Sequence, residues 1–192
     1  MKLIGIAGTA GSGKDTVADY LHERYKFARY SFADPIKAGV KAAFGLLDAH
    51  FTDRDLKEAP VEYLNNRSPR QLAQWFGTEF GRNLVAEDIW IRMADVRYRA
   101  YDEENQSSFG GVFVEGMVIP DVRFENEAEW IRERGGFVVH LVRPDVIKVH
   151  AHSSERGVAY VKGTDYVLMN VDTIDTLHER VDFMMEDTKC AA

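Results

Sequence analysis

Residues 2–16, KLIGIAGTAGSGKDT, carry a short apolar run directly into a glycine-rich loop. Lys2 to Ala7, bounded by Gly8, has the composition of a buried strand. Beyond the loop, Val17, Ala18, Tyr20, Leu21 and Tyr25 recur at helical spacing. Gly8-Thr-Ala-Gly-Ser-Gly13-Lys14 therefore fits the GxxxxGK phosphate-binding pattern in its required context, strand before and helix after. The glycines let the backbone curl so that successive N–H groups point inward at phosphate oxygens. The helix that follows presents its positive end to the same anion. Lys14 is placed to reach the β- and γ-phosphates and offset the charge that builds during transfer. The competing dinucleotide fingerprint GxGxxG does not fit, because the spacing here is GxxGxG. Gly11, Ser12, Gly13, Lys14, Asp15 and Thr16 are thus read as a nucleoside triphosphate site rather than a plain strand-to-helix turn.

Working outward, strand-like and helix-like segments alternate. Phe27–Phe32 reads as a strand, and Asp34-Pro35 opens a helix that stops near Gly45. Residues 48–67 read as a loop with a short helix, Ser68-Pro69 starts a helix holding Leu72, Trp75, Phe76 and Phe80, and Asp88 is a candidate cap for the next. Tyr101–Gly111 is acidic and reads as a surface connection. Val112–Ile119 is strand-like, a helix spans about Glu125–Arg134, and Phe137–Val142 is the clearest β run. Tyr166–Met169 and a helix from about Ile174 to Met185 complete the pattern. Such alternation predicts an α/β protein: a parallel five-stranded sheet with helices on both faces.

Composition narrows the function. The 192 residues suit a single domain, 1–192. At this size roughly 70% of the unfolded chain's surface can be buried without a disulfide or metal staple. With 24 basic against 31 acidic residues the net charge is −7, which disfavours nucleic acid as a partner but allows a local pocket for a small anion. The one cysteine, Cys190, excludes a disulfide framework. No signal peptide and no apolar run of about 18 residues is evident, so membrane partners are not expected and a cytoplasmic location is. His150 and His152 form an HxH pair without a third ligand of matching spacing, so zinc is not expected.

The usual pattern continues after the lysine with Ser or Thr, whereas here Asp15 intervenes before Thr16. This GKxT arrangement is similar to that of nucleoside monophosphate kinases. An aspartate there either contacts Mg²⁺ through water or caps the helix N-terminus, and both readings stand. No guanine-specifying NKxD occurs, which disfavours a GTPase, and the small size disfavours a motor.

Three further segments, SPRQLAQWFGTEFGR (68–82), EDIWIRMA (87–94) and VIPDVRFENEAEW (118–130), resemble the bacteriophage deoxynucleoside monophosphate kinases. GSGKDTVADYL and FVVHLVRP, with His152-Ser-Ser-Glu155 behind it, are similar too. The resemblance covers most of the chain in order and is weakest at 45–66 and 100–112. It implies transfer of the γ-phosphoryl of ATP, with Mg²⁺, to a deoxynucleoside 5′-monophosphate, in the host cytoplasm if the chain is phage-encoded. It also implies a helical monophosphate-binding region at about 34–95 and a lid at about 143–163.

The residues agree with that chemistry. An acceptor phosphate has a second pKa near 6 and is already largely ionised at pH 7, so no side-chain base is needed. Holding two anions in line demands arginines and a cation. Arg123 lies just past a strand's carboxyl end, where ligands sit in open α/β sheets, and is assigned to the acceptor phosphate or the transferring group. A surface ion pair with Glu125 or Glu127 is its bland alternative. Asp121 is placed to orient Mg²⁺ water, or is a turn residue after Pro120. Arg70 is assigned to the acceptor phosphate, with Gln74 one turn on. Trp90 is a base-stacking platform or core. Asn126 and Glu127 are candidates for sugar or base contacts, or are helix-start polar residues. Within the lid, Arg143 and Arg156 are expected to close on ATP and exclude water. Asp34 and Lys37 read more readily as a cap and a solvated lysine. Two rivals remain: another small-molecule kinase with an acceptor such as dephospho-coenzyme A, and a non-enzymatic nucleotide sensor. Enzymes of this size often form symmetric dimers, which leaves a homodimer open.

Overall fold

A computed structural model describes residues 1–106, 113–144 and 157–190. They fall into two compact units, Met1–Ser31 with Arg97–Ala192, and Phe32–Val96.

The first unit is built on a parallel sheet of five strands, β1 (Lys2–Ala7), β2 (Phe27–Arg29), β3 (Gly116–Ile119), β4 (Phe137–Val142) and β5 (Tyr166–Met169), in the order β2-β3-β1-β4-β5. Leu3 lies opposite Met117 and Gly5 opposite Val138, so β1 is central. Its alternate residues face two helical layers, which is why the run is continuously apolar. Ile4 and Ile6 pack with Val17 and Leu21 of α1 (Lys14–Tyr25) and with Leu177, Val181 and Met184 of α8 (Ile174–Cys190). On the other face Gly5 meets α7 (Glu125–Glu133) so closely that a Cβ would lie 2.6 Å from Ile131 Cδ1. The expected fold class is observed.

The second unit is helical: α2 (Ala33–Phe44), α3 (Ala49–Thr52), α4 (Arg54–Glu58), a 3₁₀ turn at Glu62–Leu64, α5 (Pro69–Trp75), a π-helix at Phe76–Val85 and the start of α6 (Ile89–Gln106). Val40, Leu46, Phe51 and Leu72 form its core. The Ser68-Pro69 start is a full capping box. Ser68 Oγ accepts from Gln71 N (3.3 Å), Gln71 Oε1 accepts from Ser68 N (3.1 Å), and Pro69 occupies the first turn. Asp88 is held below the usual carboxylate range by its hydrogen bond from Arg92 (2.9 Å).

Several boundaries differ from expectation. β2 ends at Arg29, not Phe32, because the chain turns into α2 once Tyr30 N has bonded Val118 O (3.0 Å). Of the expected strand 112–119, Val112 lies outside the described residues, and among the rest strand is limited to Gly116–Ile119. The helix from Pro69 gives way at Phe76 to wider π turns, closed by Ala86 N on Gly81 O (3.0 Å). Tyr101–Gln106 is helix rather than connection. Glutamates tolerate helix well, and Asn105 ties the end of the helix to Val114 by bonding both Val114 N (3.0 Å) and Val114 O (2.7 Å); the rest of the expected connection, 107–111, lies outside the described residues. α8 extends to Cys190, five residues beyond the expected end.

Candidate active site

The loop Gly8–Gly13 leaves the carboxyl end of β1 and delivers the chain into α1 with Gly13 as N-cap. Gly11 (φ 76°) and Gly13 (φ 100°) hold left-handed backbone that side chains resist. Gly8 passes so near the end of β4 that a Cβ would lie 2.6 Å from Leu141 O. Ser12 is fully buried, its N–H donated to Thr9 O (3.2 Å) and its Oγ without a partner among the described residues. Lys14 Nζ donates to Gly8 O (2.8 Å) and Thr9 O (2.7 Å), so the ammonium lies folded over the loop whose anion it would neutralise.

The N-cap position of α1 is held by Gly13, and Asp15 is the acidic residue of its first turn. Asp15 is exposed and accepts from Arg29 Nη2 (2.9 Å), while the same guanidinium also pairs with Asp19. Asp121, in the turn after β3, accepts a 2.6 Å hydrogen bond from Ser31 Oγ. Charged and hydroxyl groups thus gather past the carboxyl ends of β1, β2 and β3, where parallel sheets bind ligands. Carboxylates of Asp15 and Asp121 and the Thr16 hydroxyl are hard oxygen donors suited to a Mg²⁺ that keeps several waters. Among the described residues no three His, Cys, Asp or Glu side chains form a closed metal cage.

Arg123 is exposed, and neither of its bland partners takes it. Glu127 is 3% exposed and spends Oε2 on the backbone N–H groups of Arg123 (2.8 Å) and Phe124 (3.1 Å). That is the geometry of a helix cap, not of a carboxylate offered to a sugar or base, and it shapes the turn that carries Arg123. Glu125 pairs with Arg132 (2.8 Å) and accepts Ala159 N (2.9 Å). Among the described residues the Arg123 guanidinium has no carboxylate partner. Asn126, in the first turn of α7, is partly exposed. Arg143, at the end of β4, points Nη1 toward Gly11 O at 3.5 Å, the long limit of a hydrogen bond. Arg156, His150 and His152, and with them most of the expected lid, lie outside the described residues.

In the second unit Arg70 stands in the first turn of α5, its Nη1 2.5 Å from Glu58 Oε1, and Gln74 follows one turn later, partly exposed. Asp34 and Lys37 pair at 3.7 Å along α2. Trp90 follows the core reading: it is 6% exposed, donates its indole N–H to Gly77 O (2.8 Å), and lies where a Gly81 Cβ would overlap it.

Sequence reasoning missed Arg29, Ser31, Asp165 and Asn170. Asp165 is fully buried at the foot of β5 and accepts from Arg132 Nη2 (2.7 Å), Val161 N (2.9 Å), Val138 N (3.0 Å) and His140 Nε2 (3.3 Å). Burial pulls its carboxyl up, but hydrogen bonds from Arg132, Val161, Val138 and His140 outweigh burial and hold it below the ordinary range. A polar residue placed directly after an apolar strand was the available signal for Asn170, whereas Ser31 fell inside the expected strand and gave none.

A β1–loop–α1 unit centred in a five-stranded parallel sheet, with the lysine folded over the loop, defines a phosphate-loop protein of the α/β class. Solved structures show the same fold. A Janibacter sugar kinase superposes with a TM-score of 0.51 at 15% identity, covering 97% of this chain and 95% of the other. Dephospho-CoA kinase from Campylobacter jejuni gives 0.50 at 14% identity, covering 98% of each. The family model for deoxynucleotide monophosphate kinase matches residues 2–63 and 51–181, and the chain belongs to that family. A protein of Acanthamoeba polyphaga mimivirus named for this activity is 33% identical over 94% of each chain. The deoxynucleotide monophosphate kinase of Enterobacteria phage T4 is 24% identical, over 94% of this chain and 97% of that one.

Proposed function

We propose that the protein transfers the γ-phosphoryl group of ATP to a deoxynucleoside 5′-monophosphate, giving ADP and the deoxynucleoside diphosphate. The observation that carries this reading is the Lys14 phosphate loop at the end of β1 in a chain of the deoxynucleotide monophosphate kinase family. An acceptor phosphate oxygen attacks the γ-phosphorus as the bond to the β-bridging oxygen breaks, and the electron pair leaves with ADP. Because the acceptor is ionised at neutral pH, no side chain need remove a proton.

The side chains then bind and align. Backbone N–H groups of Gly11 and Gly13 cradle the triphosphate, and Lys14 leaves the Gly8 and Thr9 carbonyls to meet the β- and γ-phosphates. Mg²⁺ on ATP spreads phosphate charge when bound. Asp121, oriented by Ser31, and Asp15 with Thr16 are the residues that would hold it through water. Arg123 binds the acceptor phosphate or the transferring group, which its freedom from Glu125 and Glu127 supports. Arg70 binds acceptor phosphate, which would displace the Glu58 carboxylate from its guanidinium, and Gln74, one turn on, reaches the same ligand, while Asn126 is assigned to sugar or base. Arg143 and Arg156 close on ATP. A 2′-deoxy acceptor is favoured by apolar packing against C2′, which would leave a 2′-hydroxyl unpaired.

The test is ADP release from ATP and Mg²⁺ against dTMP, dGMP, dCMP, dAMP and the four ribonucleotides. Turnover with at least one deoxynucleotide, exceeding that with its ribonucleotide, is the expected outcome. Silence across the panel, with turnover on dephospho-coenzyme A or with ATP bound and unreacted, would overturn it.

A further inference from the structure

Past β5 the chain continues into Asn170, whose backbone N–H donates to Val142 O (2.8 Å), one step beyond the β4–β5 ladder. The residue is therefore held by the sheet itself. Its side-chain Nδ2 reaches 158 residues back along the sequence to donate to Ser12 O at 2.8 Å. It also occupies the space over Gly13, where a Cβ would lie 2.7 Å from Nδ2. The start of the loop is confined by β4, because a Gly8 Cβ would lie 2.6 Å from Leu141 O.

The Ser12 carbonyl and the Gly13 N–H belong to one peptide plane and, in a trans peptide, point in opposite directions. A donor that fixes the carbonyl thus fixes the direction of the N–H. That N–H lies at the N-terminus of α1, among the groups that face an anion in a phosphate loop. The buried Ser12 Oγ, for its part, has no hydrogen-bond partner among the described residues.

We infer that Asn170 is a positioning residue for the triphosphate site, clamping the Ser12–Gly13 peptide so that the Gly13 N–H is aimed at bound phosphate before ATP arrives. The gain is preorganisation. A loop already in its binding conformation loses less on binding and stabilises charge without reorganising. This rests on reading residues 8–16 as the triphosphate loop, not on the identity of the acceptor.

The test uses the full-length protein and two variants, Asn170→Asp, which turns the donor into an acceptor facing the Ser12 carbonyl, and Asn170→Ser, which is too short to reach it. Binding of ATP and of inorganic tripolyphosphate is measured by calorimetry, with melting curves to establish that each variant folds. Both ligands are expected to weaken at least tenfold in either variant, with the larger loss in Asn170→Asp. In turnover assays KM for ATP rises while KM for the acceptor stays within twofold, a split that general loosening of the fold would not produce. If Asn170→Asp does not fold, Asn170→Ser carries the measurement. Variants that bind tripolyphosphate and ATP within twofold of wild type would overturn the inference. So would a wild type that binds ATP but not tripolyphosphate. Weakened phosphate binding in a protein that phosphorylates no deoxynucleotide would uphold the clamp and overturn only the acceptor.

Discussion

Arg123 owes its availability to the two glutamates that follow it. Glu127 turns its carboxylate onto the backbone of Arg123 and Phe124, and Glu125 is engaged by Arg132, so the guanidinium remains without a carboxylate among the described residues. If it meets the transferring group, Arg123→Ala should lower kcat by about 10²–10³, the usual cost of removing one donor to developing charge. ATP affinity should stay within about threefold. Steady-state turnover with calorimetric ATP binding checks this, and a kcat within twofold of wild type would contradict the assignment. The position of Arg123 past an apolar strand was legible in the sequence, as was Lys14 within its loop. The fate of Glu127 was not. A glutamate three residues into a helix suits either a cap or a ligand contact, and only its burial shows that the carboxylate is spent on N–H groups.

At the level of elements, the best-defined polar structure outside the loop is the Asp165 clasp, which joins α7, β4 and the residues before β5. Arg132 bonds Asp165, Glu125 and Ala159 O (2.7 Å), while Asp165 takes N–H groups from Val138 and Val161. Asp165→Asn should cost on the order of 3 kcal/mol, since it breaks a buried pair and leaves Arg132 half-compensated. The pH dependence has a definite sign. A carboxyl depressed in the folded state contributes its stability above the unfolded value near 3.9, and loses it as pH falls through that value toward the lower folded one. The melting-temperature gap between wild type and Asp165→Asn should be constant from pH 7 to about 5 and shrink below about 4. A gap independent of pH down to 3 would show that the charge is not what the clasp uses. Element boundaries were least legible where contacts from elsewhere intervene. The acidic 101–106 segment is kept helical by Asn105 on Val114, and the Pro69 helix widens into π turns beside the buried Trp90.

The molecule as a whole carries a net charge of −7 yet is read as binding anions, so its cations must be placed rather than abundant. In the first unit Lys14, Arg29, Arg123 and Arg143 follow or end β1, β2, β3 and β4, all at the carboxyl edge of one sheet. Saturating that edge should stabilise the fold. ATP at 100 times its Kd adds about 2.7 kcal/mol, which for a chain of this size is a rise of roughly 5–10 °C in Tm. Differential scanning calorimetry with and without ATP measures it, and Lys14→Ala should reduce the shift. Among the described residues no helix is long and apolar enough to cross a membrane. Sequence alone determined the β1–loop–α1 unit, the parallel α/β class and the helix start at Ser68-Pro69, because apolar period, glycine placement and helix-start residues act over a few neighbouring positions. Tertiary structure decided which polar groups are spent and which are presented. Asp121 meets Ser31 from 90 residues away, and Asn170 meets Ser12 from 158, because strand order sets β2 beside β3 and leaves only β4 between β1 and β5. Pairings across strand ends follow from that order, which no local periodicity encodes.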